Sequence, residues 1–293
     1  MITVMGATGN TGRKIVENLL KEGEEVRALG RTEGRLAELG RSGAEILSGD
    51  LTDASFLTGA FRGADAVYTL LPTDRRSPDY RAEQDRQGEA IARAIRASDV
   101  RHVVALSSVG ADLARGTGPI AGLHAQEERL KRLETANLLF LRPVSFFENF
   151  YETLGLIKSE GFNGGSVEPD LAIPMVATRD IATVAARALR ERDWRGVIVR
   201  ELLGPRDLSH AEATRILGER IGKPDLRYVR FSYEDEASAL VQAGLSRSFA
   251  GLYVEMTRAF NEGTVGARRT PENTTPTPFE EFAAELARAY EAA

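Results

Sequence analysis

The sequence predicts a doubly wound α/β protein: a mostly parallel sheet with helices on both faces, followed by a smaller mixed α/β lobe. Three observations carry this reading. Short β-rich runs alternate with helical windows through the first half of the chain, a glycine-rich turn joins the first run to the first helical window, and the alternation continues less regularly in the second half. Parallel strands need crossover connections, and repeated strand–helix alternation supplies them.

In order, strands are expected at 2–6, 25–30, 44–48, 66–71, 102–108 and 138–142, with helices at 11–22, 33–41, 53–62, 80–98 and 121–135. Val103-Val104-Ala105-Leu106 is apolar throughout, as a strand buried on both faces is. Further strands near 171–176, 196–203 and 226–231 alternate with helices near 146–160, 179–191, 208–221, 233–243, 246–262 and 278–291. Capping boxes mark three helix starts: Ser145 with Glu148, Ser209 with Glu212, and Thr277 with Glu280, the last with Pro278 at the first helical position. The segment 270-TPENTTPTP-278 reads as a loop before a final helix that aligns Phe279, Phe282, Leu286 and Tyr290. These patterns divide the chain into a dinucleotide-binding domain, 1–150, and a smaller substrate-binding lobe, 151–293, with part of 171–203 returning to the first sheet.

Among its 293 residues the chain has no cysteine, which excludes disulfides, thiolate zinc sites and a thiol nucleophile. Its three histidines lie far apart in sequence, so no metal site is expected. A formal charge of -5 argues against a nucleic-acid partner held by a basic face. No run approaches the roughly 20 apolar residues that cross a bilayer, and the first strand begins without an export signal. A soluble cytoplasmic protein with no membrane partner is expected.

The turn 6-GATGNTG-12 follows a strand and opens a helix, which is the order that sets backbone N–H groups and a positive helix end against a pyrophosphate. Gly6 makes the tight turn, Gly9 lets backbone approach phosphate, and Gly12 lets the helix pack on the sheet, while Thr8, Asn10 and Thr11 add polar groups. This is the Rossmann-like arrangement. About 20 positions on, an acidic residue would bind the ribose hydroxyls of NAD(H), yet Arg31 stands there, with Thr32 and Arg35 behind it. A guanidinium forks onto a 2′-phosphate, so NADP(H) is preferred, with NAD(H) left open by Glu33. Asp50, ahead of Leu51, either accepts from the adenine amino group or starts the next helix.

With GATGNTG, the Arg31 strand end, 49-GDL-51, 107-SSVGA-111, 141-LRPVSFFENF-150, 179-RDIA-182, 204-GPRDLSHAE-212 and 277-TPFEEFA-283 in hand, the chain resembles the NmrA-like proteins, an atypical branch of the short-chain dehydrogenase/reductase superfamily. The resemblance runs through its whole length. It implies a Rossmann domain that takes NADP(H) without flavin or metal, a cleft against a C-terminal lobe, and Leu71 and Pro72 on the nicotinamide side. Some members resemble quinone oxidoreductases and azoreductases that pass hydride to small aromatic acceptors; others are catalytically silent NADP(H) sensors that bind a regulatory protein partner. A homodimer is also compatible with the family.

Ordinary members of the superfamily pair a serine after the fifth strand with Tyr-x-x-x-Lys on the next helix. Here Ser107 and Ser108 stand at the strand end, but by spacing His124 takes the tyrosine place and Glu128 the lysine place. Reducing a ketone creates an alkoxide whose basicity approaches hydroxide, with water near 15.7, whereas reducing a quinone yields a phenolate comparable to tyrosinate at about 10. That gap of ~5 units is roughly 7 kcal/mol, so a site without the tyrosine–lysine pair suits quinones better than ketones. His124 is the candidate proton donor, Ser107 and Ser108 line the nicotinamide pocket, and Phe146, Phe147, Asn149 and Phe150 offer surface to a planar substrate. The expected activity is an NADPH-dependent reduction of a quinone, azo compound or similar electrophile, with the silent sensor as the alternative.

Overall fold

The computed structural model describes residues 1–72 and 74–292. Its first half runs β1 (Ile2–Val4), α1 (Gly12–Lys21), β2 (Val26–Gly30), α2 (Glu33–Arg41), β3 (Glu45–Ser48), α3 (Ala54–Phe61), β4 (Ala66–Thr69), α4 (Tyr80–Ser98), β5 (His102–Leu106), α5 (Ile120–Lys131) and β6 (Asn137–Pro143). There follow β7 (Ser145–Phe146), a 3₁₀ helix over Phe147–Thr153, α6 (Leu154–Glu160), β8 (Asn163–Gly165), β9 (Ile173–Val176), α7 (Thr178–Glu191) and β10 (Val197–Leu202). The chain closes with β11 (Asp207–Leu208), α8 (His210–Arg220), β12 (Tyr228–Arg230), α9 (Tyr233–Gln242), α10 (Arg247–Asn261) and α11 (Phe279–Ala292).

Seven strands form one sheet in the order β10-β6-β5-β4-β1-β2-β3, with every adjacent pair parallel. The fold is Rossmann-like and doubly wound. β1 lies between β2 and β4, so the direction of winding reverses there and opens a crevice at the carboxyl ends of β1 and β4. On one face Ile15, Val16 and Leu19 of α1 and Ile181, Ala185 and Leu189 of α7 join the core; on the other, Leu57, Phe61, Ile91, Ile95 and Leu130 do. β10, late in the sequence, pairs with β6 at the sheet edge.

The C-terminal elements build two small sheets, β11-β9-β7 and β12-β8, and a third core around Phe147, Phe150, Phe279 and Phe282. The segment read as one helix from 146 to 160 is instead a strand end, a 3₁₀ turn and then α6. Phe147 and Phe150 are spaced by three, and a 3₁₀ helix stacks that pair on one side, toward Phe279.

Two of the three expected capping boxes are replaced by longer-range caps. Ser209 Oγ accepts from Glu212 N at 3.1 Å as its box requires. Glu148, however, reaches the start of α7, where its carboxylate accepts from Thr178 N at 3.0 Å and from Lys14 Nζ at 2.9 Å. Asp180 in turn accepts from Thr277 N at 3.0 Å and from the Thr277 hydroxyl at 2.8 Å ahead of α11. Local sequence places these acids beside helix starts, but the donors they satisfy belong to other elements. The expected 171–176, 196–203 and 226–231 strands are shorter by one to three residues at their ends.

Candidate functional site

The turn after β1 is built by geometry that only glycine supplies. Gly6 adopts φ +67°, in the left-handed region. A methyl group on Gly12 would collide with the Gly6 carbonyl oxygen, so α1 begins directly against the loop. Gly9 N closes the turn onto Gly6 O at 2.9 Å, and Tyr68 on β4 steadies it by donating to Thr11 Oγ1 at 3.0 Å. Among the described residues the N–H groups of Asn10, Thr11 and Gly12 have no acceptor. These donors stand at the positive end of α1, a place that suits an anion.

Beside the turn runs a groove of about 340 Å³, lined by Gly6, Thr8, Gly9, Asn10, Thr11, Arg31, Leu51, Leu71, Pro72, Arg75 and Phe146, among others. Most of the residues singled out for cofactor binding thus meet on one surface. Gly12 lies beneath it as a packing residue. Asp50 lies outside the lining: its Oδ1 accepts from Thr52 N and Thr52 Oγ1, both at 2.8 Å, which holds its carboxyl below the usual range. The helix cap that Asp50 was a candidate for belongs to Asp53, which accepts from Ser55 N at 2.8 Å. Arg31 is exposed at the end of β2 and enters no ion pair among the described residues, and the same holds for Arg35. Arg75, absent from the sequence-based set, borders the groove but is held by Glu152 at 2.8 Å.

The groove meets a second concavity of about 300 Å³ at Leu70, Leu71 and Phe146. Leu106, Ile120, Leu123, Val144, Met256 and Phe260 form most of its wall, with Tyr80, Gln84, Ser107, Ser108, Ser145 and Asn149 as polar groups and no charged side chain in the lining. Phe146 and Asn149 therefore face this cleft. Phe147 does not: it is 1% exposed in the C-terminal core. Phe150 is also buried and borders a neighbouring cavity instead.

Ser107 donates to Glu127 Oε1 at 2.6 Å, and Arg142 clamps the same carboxylate with Nε at 2.8 Å and Nη2 at 2.7 Å. Ser107 and Glu127 are buried. The carboxylate holds the Arg142 guanidinium above its usual pKa. Ser108 donates to Val109 O at 2.9 Å. Both serine hydrogens are committed to the protein, which leaves oxygen lone pairs toward the cleft.

His124 is not brought together with these serines. Its Nδ1 lies 2.9 Å from Ala111 O, and it is absent from the cleft wall, which α5 builds from Ile120 and Leu123. Glu128 is bound to Lys131 at 2.7 Å, not to the imidazole. Helix phase separates His124 from that wall: 124 is turned about 100° from 123, and α5 is set so that Ile120 and Leu123 face the cleft. On the cleft side of α5, Leu123 lines the wall and Glu127, four residues on, accepts from Ser107. The signal was present in the sequence as a carboxylate inside the stripe Ile120, Leu123, Leu130, which demands a buried cation such as Arg142.

The profile of the NmrA-like family matches residues 1–283. The chain belongs to the NmrA-like family. A (4-alkanoyl-5-oxo-2,5-dihydrofuran-3-yl)methyl phosphate reductase of Streptomyces griseus is 31% identical over 241 residues, covering 82% of this chain and 80% of its own. Quinone oxidoreductase 2 of Escherichia coli is 26% identical, covering 87% and 86% respectively. The structure of the Escherichia coli NADPH-dependent quinone oxidoreductase QOR2 with NADPH superposes with a TM-score of 0.81 at 22% identity, covering 98% of this chain and 99% of that one. NmrA, a negative transcriptional regulator solved with NAD, superposes with a TM-score of 0.74 at 16% identity, covering 99% and 96%. Among the described residues there is no group of acidic, histidine or cysteine side chains suited to a metal ion, and no helix long and apolar enough to cross a membrane.

Proposed function

We propose that this NmrA-like protein is an NADPH-dependent reductase of small planar electrophiles of the quinone type, with an uncharged ring in the cleft. The observation that carries the reading is the meeting of two surfaces. A groove whose backbone donors and Arg31 have no partner among the described residues runs into an apolar cleft with no charged side chain in its lining. The unpaired donors fit a pyrophosphate, and Arg31 with Arg35 behind it fits a 2′-phosphate. When bound, the coenzyme would supply hydride at the shared wall of Leu70, Leu71 and Phe146.

The chain's own residues then orient and exclude water. Ser107 and Ser108 present acceptor lone pairs that suit the carboxamide N–H₂ of a nicotinamide, with Glu127 and Arg142 fixing the Ser107 hydroxyl. Leu106, Leu123 and Phe260 shield the cleft from water, and Phe146 offers a face for an aromatic ring. No carboxyl, imidazole or ammonium group lines this cleft, and its only O–H groups are the weak acids of Tyr80, Ser107, Ser108 and Ser145, so a strongly basic product oxygen meets no strong proton donor in the wall. A phenolate tolerates that far better than an alkoxide, by the roughly 7 kcal/mol difference in proton affinity. The Streptomyces relative is named for a phosphate-bearing substrate, and the present cleft offers no cation for such a group.

NADPH consumption against a graded set of quinones, simple ketones and aldehydes tests the reading. Turnover of quinones with ketones at least a hundredfold slower is expected. Saturable NADPH binding with no turnover of any acceptor would overturn it and leave the cofactor-sensing role.

A further inference from the structure

Behind the cleft lies a second cavity of about 130 Å³. Ser145, Asn149, Met256 and Phe260 line both, so the two spaces adjoin. Their chemistry differs. The inner one is walled by Ser166, His210, Tyr228, Glu236 and Tyr253, contributed by four separate elements and the loop after β8.

Several polar groups there lack partners. Ser166 is 1% exposed, and among the described residues neither its Oγ nor the buried Nδ1 of His210 has a hydrogen-bond partner. No bond is found for the Tyr253 hydroxyl among the described residues, whereas Tyr228 donates to Val167 O at 3.2 Å. One oxygen of Glu236 accepts from Ser166 N; the other has no donor, and the carboxylate has no ion-pair partner among the described residues. Neighbouring cations are already engaged. Arg230 pairs with Glu168 at 2.7 Å, Arg75 with Glu152, and Arg258 lies over the Tyr233 ring at 4.6 Å. Burial pulls His210 down to about 4, so it is neutral near pH 7 and adds no positive charge. Burial also pushes both tyrosines up, so they stay protonated.

We infer that this inner cavity is a substrate subsite that selects a hydrogen-bond-donating, preferably cationic amino group on the far end of the planar substrate, with Glu236 as the specificity-determining residue. The inference rests on the reductase reading and narrows its substrate class. A ring in the cleft would extend a short arm past Asn149 and Met256, and the arm's N–H groups would meet the open oxygen of Glu236 with Ser166 Oγ and the Tyr253 hydroxyl beside it. A carboxylate or phosphate at the same place would face an uncompensated negative charge.

Naphthoquinones carrying a saturated side chain of two to five methylenes, ending in an amine, a hydroxyl or a carboxylate, test this at nearly constant ring reactivity. With the NADPH-loaded protein, KM for the best amine is expected about tenfold below that of its carboxylate twin, the scale of one charge-assisted hydrogen bond, at similar kcat. Glu236→Gln should bring that ratio to within about threefold while leaving NADPH affinity unchanged. Tyr253→Phe, which leaves the Ser166 contact alone, should raise KM for the amine but not for the quinone without a side chain; it keeps the test open if Glu236→Gln fails to fold. Equal KM values for the three termini in the wild type, or an unaltered ratio in both variants, would overturn the inference. Calorimetry with redox-inert naphthalene analogues separates the two readings: the same order of affinities without any turnover would defeat the reductase proposal and keep the subsite.

Discussion

At the scale of single residues, the glycine turn and Arg31 were readable because each depends on local backbone or on a charge at a strand end. Arg31→Ala should weaken NADPH binding about 10- to 100-fold while changing NADH by no more than about twofold, as expected for a lost charge-assisted contact to one phosphate. Titration calorimetry with both coenzymes checks it, and an equal loss for the two would assign Arg31 a general role. The Ser107–Glu127–Arg142 cluster was not readable from spacing alone, because helix phase at α5 is set by what Ile120 and Leu123 pack on. His124→Ala should therefore leave quinone turnover within about twofold across neutral pH, since its ring serves Ala111 O. Glu127→Gln should lower kcat about tenfold by releasing Ser107 from its orientation, and should cost about 3 kcal/mol of stability by uncovering the buried Arg142. His210 gives a pH signature of its own. Its folded pKa of about 4 lies below the unfolded value of about 6.5. The unfolded chain thus binds the proton first, and stability present above pH 6.5 falls as pH drops toward 4, by about 3 kcal/mol for this group. In urea unfolding, the gap between wild type and His210→Phe should move by about that amount over this window, against the wild type at the acid end.

At the scale of elements, most helices and long strands follow from periodicity, and the bounds of α2 and α4 coincide with the expected 33–41 and 80–98. The two- and three-residue strands β7, β8 and β11 were missed, since so few residues cannot display an alternating pattern. The caps show a different limit. Ser145 and Glu148 have the spacing of a capping box, yet Glu148 caps α7 and binds Lys14 of α1. That one carboxylate, 3% exposed, ties the helix behind the glycine turn to α7 and to the 3₁₀ segment whose neighbours wall the cleft. Glu148→Ala removes the acceptor for a helix N–H and for an ammonium that is one-third exposed, so a loss of about 2–4 kcal/mol is expected, discounted from the fully buried case. Chemical denaturation measures it. A loss below about 0.5 kcal/mol, the size of an exposed surface pair, would show that this link does not hold the elements together.

For the whole molecule, the strand order puts four separate chain segments on one groove: the turn after β1, the end of β2, Leu51 after β3 and the segment after β4, with Phe146 from beyond β6 at its far end. Sequence reading found these pieces, and the family resemblance implied the cleft beside them, but Arg75 was missed, because contacts across β1, β4 and β6 depend on the sheet as assembled. A dinucleotide that spans the groove binds only the folded arrangement, so mass action must raise stability. At a hundred times its Kd, NADPH should add about 2.7 kcal/mol. For a protein of this size about 2–4 °C accompanies each kcal/mol, which gives a Tm increase of about 5–10 °C. At that same NADPH concentration Arg31→Ala should show at most about half the shift, because a 10- to 100-fold weaker Kd leaves only about 1.4 kcal/mol or less of the linkage term. NADH should move the two proteins alike. A wild-type Tm that stays put at millimolar NADPH would mean that the unpaired amides of Asn10, Thr11 and Gly12 do not take a pyrophosphate, and the reductase and sensor readings would fall with it.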